Sequence, residues 1–249
     1  MVLIGARVVS PPRNAAVVAA LAPSGLVPRG WLVPEETSAP VLKDGKRARS
    51  ICLVGHGGGG FWPEFEAWHE RHPGISDPLD TWSKAVINPA AARFGGEAVF
   101  PSDVPWHPFQ QWAIAAEGLK PSPLGLLMHP DYGLWHGYRG AILFGEAGID
   151  DARRRPTDLP DTSVAGSGPG MAVVHPCDTC SDKPCLSACP VGAFSPAGFA
   201  VAACRTFVKT EASGVGCLGS GCLARDACPV GRAYRYGAEQ IRFHMAALV

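Results

Sequence analysis

The chain has 249 residues, 47% of them hydrophobic and 18% charged, and its 22 basic and 22 acidic side chains cancel. The balance leaves no basic excess to neutralise a phosphate backbone, which disfavours a nucleic-acid partner. No apolar run approaches the roughly 18 residues needed to span a membrane.

With 30 glycines and 24 prolines, many turns and short elements are expected. Area scaling gives a chain of this length one good core, or one domain with a small appendage.

The start, "MVLIGARVVSPPRNAAVVAALAPSG", imitates a signal peptide, with Arg7 and Arg13 before "AAVVAALA". The apolar run is short and Pro11 and Pro12 interrupt its approach, so a domain helix ended by Pro23 and Gly25 is expected instead. "LVPRGWLVP" and "RSICLVGHGG" are apolar, β-branched runs bounded by Gly and Pro, and read as strands. Cys52, inside the second, reads as a small buried hydrophobe. "GHGGGGFW" lacks the Lys-Ser/Thr of a P-loop and the spacing of a dinucleotide fingerprint. It reads as a loop whose bare backbone suits close approach to a flat ligand.

"DPLDTWSKAVINPAAARFG" is expected to be helical, with Pro89 bending or breaking it. "HPFQQWAIAAEGL" is a second helix, ended by Gly118. "PLGLLMHPDYGLWHGYRGAILFG" reads as a strand, a tight turn at 131–133 and a second strand through 141–144. Residues 150–170, "DDARRRPTDLPDTSVAGSGPG", have linker composition. The expected organisation is therefore a front domain over 1–149, a linker over 150–170 and a tail domain over 171–249, closed by a short helix at "AEQIRFHMAAL".

Eight of the nine cysteines lie in that tail. The first group is Cys177-x2-Cys180-x4-Cys185-x3-Cys189-Pro, the second is Cys217-x4-Cys222-x5-Cys228-Pro, and Cys204 stands between them. "CPVG" closes both groups. An odd cysteine count in a chain of this size argues against a disulfide framework, so the thiols read as metal ligands in a cytoplasmic protein. In two-cluster ferredoxins the run C-x2-C-x2-C-x3-C-P gives three cysteines to one cube, and the cysteine before proline goes to the other. Eight thiolates serve two four-iron clusters with none left over. Two tetrahedral zinc sites would also use eight. Zinc ribbons favour paired CxxC knuckles, however, and only one CxxC is present.

The tail resembles the two-[4Fe-4S] ferredoxin domain of epoxyqueuosine reductases and reductive dehalogenases, in which an isolated cysteine also lies between two groups; here it sits in "AVAACRTFVKTE". The resemblance implies that Cys177, Cys180, Cys185 and Cys228 hold one cluster, and that Cys189, Cys204, Cys217 and Cys222 hold the other. This chain departs from the family by two extra residues before Cys185 and by a stretched second group.

In the front part, "GLLMHPDYGLWHGYRGAILFG" resembles the "HP-x-x-G-x-W…RG" strand–turn–strand of the cobalamin decyanase/dealkylase family, which has a nitroreductase-like fold. "DPLDTW" is similar to another segment of that family. "PFQQWAIAAEGL" sits where epoxyqueuosine reductases carry a helix. The likeness spans roughly 80–145.

Together these resemblances imply an α+β chain: a nitroreductase-like corrinoid-binding module followed by a bacterial-type ferredoxin domain. His129, Tyr132, Gly133, Trp135 and Arg139 become candidate contacts to a base-off cobalamin, in keeping with the absence of a D-x-H-x-x-G motif. Arg139 and Asp103 become candidate catalytic residues, Asp103 because "FPSDVPWHPF" places it like a proton-donating aspartate of the reductases. The plain alternatives are core packing for Tyr132, Trp135 and Trp106, a turn role for His129 before its proline, and a surface or β-edge role for Arg139.

The expected function is electron transfer from two [4Fe-4S] clusters to bound cobalamin, with or without removal of its upper ligand. One alternative is a ferredoxin-like carrier whose front domain docks a partner enzyme; another is a cobalamin-dependent reductase of a small organic substrate. Implied partners are an upstream donor (flavodoxin, ferredoxin or a reductase) and a corrinoid-using enzyme. Without basic surface or helical-repeat extension, tRNA is not an expected substrate.

Overall fold

A computed structural model describes residues 13–146, 174–210 and 216–248. The linker expected over 150–170 lies outside the described residues. Mixed helices and small antiparallel sheets make this an α+β protein.

Helix α1 (Arg13–Leu21) buries Val17 and Leu21 completely and is followed by strand β1 (Val27–Leu32). Strand β2 (Ser50–Gly57) is buried along almost all of its length, as the unbroken run "ICLV" requires. Next come α2 (Trp62–Glu70), α3 (Pro78–Arg93), β3 (Glu97–Val99) and α4 (Phe109–Glu117).

Pro89 does not break α3, which runs unbroken through it. A mid-helix proline costs about 3 kcal/mol. The helix keeps Leu79, Trp82, Ile87, Ala90 and Ala91 buried along one side, and that burial offsets the cost.

Strands β4 (Lys120–Pro121) and β5 (Leu127–Met128) pair with each other, and β6 (His136–Phe144) joins the main sheet in the order β1-β2-β6-β3. The expected strand, tight turn at 131–133 and second strand are all present, although the two strands do not pair with each other. His129 and Gly133 exchange both backbone hydrogen bonds at 2.9 Å, and the flanking strands then go to different partners. Within the main sheet β1 is an edge, so Pro28, which cannot donate to a ladder, is tolerated there beside a bulge.

The tail is built of one-turn helices: α5 (Pro176–Thr179), α6 (Pro184–Ser187), then the hairpin β7 (Phe194–Ser195) and β8 (Gly198–Phe199). Helix α7 (Val201–Thr210) carries Cys204, and α8 (Cys217–Ser220), α9 (Leu223–Asp226) and α10 (Ala238–Ala246) complete the chain. The two "CPVG" repeats are structurally equivalent. Each follows a one-turn helix, α6 or α9, and each ends on a glycine of positive φ, Gly192 at 58° and Gly231 at 73°.

The chain divides into two compact units that are not consecutive stretches. One, the sheet unit, comprises residues 13–55, Glu64–Trp112 and 138–146 of the described chain. The other, the cysteine unit, adds His56–Pro63 and Ala113–Gly137 to the described part of the tail. No helix among the described residues is long and apolar enough to cross a membrane.

Candidate metal centres

All nine cysteines are free thiols. Cys52 is fully buried in β2, as a small hydrophobe there should be. The eight tail thiols fall into two sets.

The first set surrounds a cavity of ≈ 290 Å³, lined by Cys177, Cys180, Cys185 and Cys228, with Met128 and Leu134 on its apolar wall. That is far more room than one ion needs, since about 10–15 Å³ already admits a water molecule. Burial is the main cause that pushes the Cys177 thiol up to about 11, with Cys228, Cys185 and Cys180 adding like-charge repulsion. Cys185 is raised for the same reasons, burial first, then Cys228 and Cys180. A cationic centre bound by Cys177 and Cys185 would favour their thiolate forms.

The second set centres on Cys204 of α7. Burial raises its thiol, and the neighbours that raise it further are Cys222, Cys189 and Cys217. Each set therefore draws on both halves of the cysteine sequence. Cys189 leaves its own group for the second set and Cys228 leaves its group for the first, each being the cysteine before a proline. Among the described residues no three or more His, Cys, Asp or Glu are arranged to hold a single metal ion. Thiolates that held the corners of a four-iron cube would stand wider apart than those around one ion.

Two residues without any sequence signal position these thiols. His175 caps α5: its Nδ1 accepts from the Cys177 N–H at 3.3 Å, and its Nε2–H donates to the Lys120 carbonyl at 3.3 Å. Arg225 of α9 donates to the Leu134 carbonyl from Nε at 3.1 Å and from Nη2 at 2.6 Å. Both partners, Lys120 and Leu134, are distant in sequence, so spacing within the tail could not announce either role.

The candidate corrinoid contacts divide between the units. His129, Tyr132, Gly133 and Trp135 belong to the cysteine unit and are engaged there in packing. The Nδ1 of His129 accepts from the N–H groups of Asp131 and Tyr132 at 3.1 and 3.2 Å, a turn-forming role. The Tyr132 ring lies so close over Gly57 that a Cβ there would come within 2.5 Å of it, and it meets Tyr234 edge-on at 4.7 Å. The glycine-rich loop thus accommodates the protein's own tyrosine.

Gly133 (φ +57°) is pressed against the second "CPVG": a Cβ on it would sit 2.1 Å from the Val230 carbonyl oxygen. A Cβ on Gly231 would come 2.2 Å from the Tyr132 carbonyl. Trp135 is buried against Tyr236 at 5.2 Å, in a cluster that includes Cys217.

Arg139 and Asp103 belong to the sheet unit. Arg139 is half-buried in β6. Asp103 forms an ion pair with Lys84 at 2.5 Å, so its carboxylate is already engaged. Nearby His107 stacks on Trp112 at 5.3 Å, its pKa held below the usual value by burial, whereas Trp106 is 79% exposed.

No protein-family model matches this sequence, and no curated protein shows significant similarity to it.

Proposed function

We propose that this chain is an iron–sulfur electron-transfer protein whose eight tail thiols hold two [4Fe-4S] clusters. The observation that carries the reading is the crossing of the two cysteine sets. Cys177, Cys180 and Cys185 gather with Cys228, and Cys204, Cys217 and Cys222 gather with Cys189, which is the exchange expected of a two-cluster ferredoxin. The donor chemistry fits: two all-cysteine sets, one around a roomy cavity with an apolar wall. When bound, each cluster takes up and releases one electron at a time. The protein's own contribution is to hold the thiolates in place through the short helices and His175, and to exclude water with Leu124, Met128 and Leu134 on one side and with Val208, Ile241 and Met245 on the other.

The acceptor implied by the motif-level resemblance is a base-off cobalamin. Tyr132, Gly133 and Trp135, however, are committed to packing inside the cysteine unit, and this favours the carrier reading over one in which they grip a corrinoid. One anaerobic preparation tests both points. Iron and acid-labile sulfide should each reach about eight per chain; about four irons, or zinc, would remove the two-cluster reading. Titration with hydroxo- and cyanocobalamin then separates the acceptors. A base-off spectrum that converts to cob(II)alamin on reduction makes the corrinoid the acceptor. Unchanged corrinoid spectra beside clusters that reduce normally make the protein a carrier.

A further inference from the structure

Between its two thiol sets the cysteine unit holds a permanent cation. Arg225 stands in α9 between Cys222, a neighbour of Cys204, and Cys228, which lines the cavity. Its guanidinium lies 4.2 Å above the Trp135 ring and 4.7 Å from that of Tyr236, and its two N–H donors are fixed on the Leu134 carbonyl. Leu134 packs with Cys185 and Cys228 in a cluster that Cys177, Cys189 and Cys222 border, and Trp135 and Tyr236 pack with Cys217 and Cys204. The charge therefore lies at the seam between the two sets. Among the described residues no carboxylate neutralises it, because the adjacent Asp226 is paired with Arg235 instead.

We propose that Arg225 sets the reduction potentials of both clusters, an inference that rests on the two-cluster reading. Reduction adds one negative charge to a cluster, so a nearby fixed cation stabilises the reduced state more than the oxidised one and raises the potential. Arginine suits this role better than lysine. Its guanidinium stays charged at any working pH, and its flat fork is held by the carbonyl and the two rings, whereas an ammonium is a mobile, strongly hydrated point charge. A residue that merely clamped 134–135 to the tail would leave the potentials where they are.

The test is an EPR-monitored redox titration, with dithionite as reductant, of protein whose iron content has first been measured. R225M keeps most of the stem and removes the charge; its potentials should both shift downward at unchanged iron content. R225K keeps the charge and loses the fork, and its potentials should stay close to those of the unsubstituted protein. Fully loaded R225M with unshifted potentials would overturn the inference and leave Arg225 a clamp. Should R225M fail to load, R225Q takes its place, removing the charge while keeping an N–H donor: a downward shift of both potentials at full iron content supports the inference, and unshifted potentials overturn it. Absence of iron from the unsubstituted chain is a different failure, which removes the two-cluster reading and this inference with it.

Discussion

The two units are stabilised in different ways. The sheet unit rests on a conventional apolar core: Ile51, Leu53, Phe65, Ile87, Ile142 and Phe144 are all among its fully buried side chains, and α3 extends over 16 residues. In the cysteine unit the helices α5, α6, α8 and α9 have four residues each, a length at which a helix cannot sustain itself in water. Its two core clusters include thiols among their buried members, Cys185 and Cys228 in one and Cys217 in the other. On the proposed two-cluster reading, a unit of one-turn helices around crowded thiols would rely on what the thiols hold, as small metal-dependent domains do. The sheet unit has no such need.

If the proposed clusters are present, the strongest way to break this contrast is to remove their iron. Chelation should abolish amide-exchange protection across 174–210 and 216–248 while β1, β2 and β3 stay protected; equal protection in both units would contradict it. Cys228→Ser should release about four irons per chain, and Cys52→Ser should release none, as read by iron analysis.

Next in size is Gly133→Ala. Its Cβ would collide with the Val230 carbonyl at a backbone that already needs positive φ, so a loss above about 5 kcal/mol, or failure of the cysteine unit to assemble, is expected in urea unfolding. Gly192→Ala sharpens the point. That site has the same φ but nothing within 4 Å, and it should cost only about 1 kcal/mol.

On the other side of the comparison, Phe65→Ala should cost the sheet unit about 3–5 kcal/mol with iron content unchanged. His175→Ala removes the α5 cap and should lower stability by about 1 kcal/mol, accompanied by faster iron loss on dilution into chelator. The smallest effect belongs to Asp103→Asn. Its exposed pair with Lys84 is worth less than about 1 kcal/mol, so neither the unfolding midpoint nor the potentials should move measurably.

Much of the fold was legible because it is written locally. The strands at "LVPRGWLVP" and "RSICLVGHGG", the helix ended by Gly118 and the closing helix all appear where apolar runs meet Gly or Pro. Pro89 leaves α3 unbroken because its cost is local whereas the burial that offsets it is tertiary. The strand, the turn at 131–133 and the second strand through 141–144 are also present, but Leu127–Met128 pairs with Lys120–Pro121 and β6 pairs elsewhere, a choice between strands that no turn signal encodes. The short helix α2 and strand β3 were not anticipated, as neither carries a distinct boundary signal.

What the sequence determined by itself was the chemistry: eight thiols in two spaced groups, each ending in Cys-Pro-Val-Gly, in a chain with neither a charged surface bias nor a long apolar run. Which thiols share a centre was implied by the resemblance to two-cluster ferredoxins, because spacing alone left the pairing open. Tertiary structure alone decided what surrounds them. The "HPDYGLW" segment became part of the cysteine unit because Gly133 and Gly231, both lacking a Cβ, let two distant backbones touch. That contact goes with Leu134 and Trp135 packing in two different thiol-containing clusters and with Arg225 held on the Leu134 carbonyl. Contacts between residues about ninety positions apart depend on three-dimensional packing, and a one-dimensional pattern does not specify them.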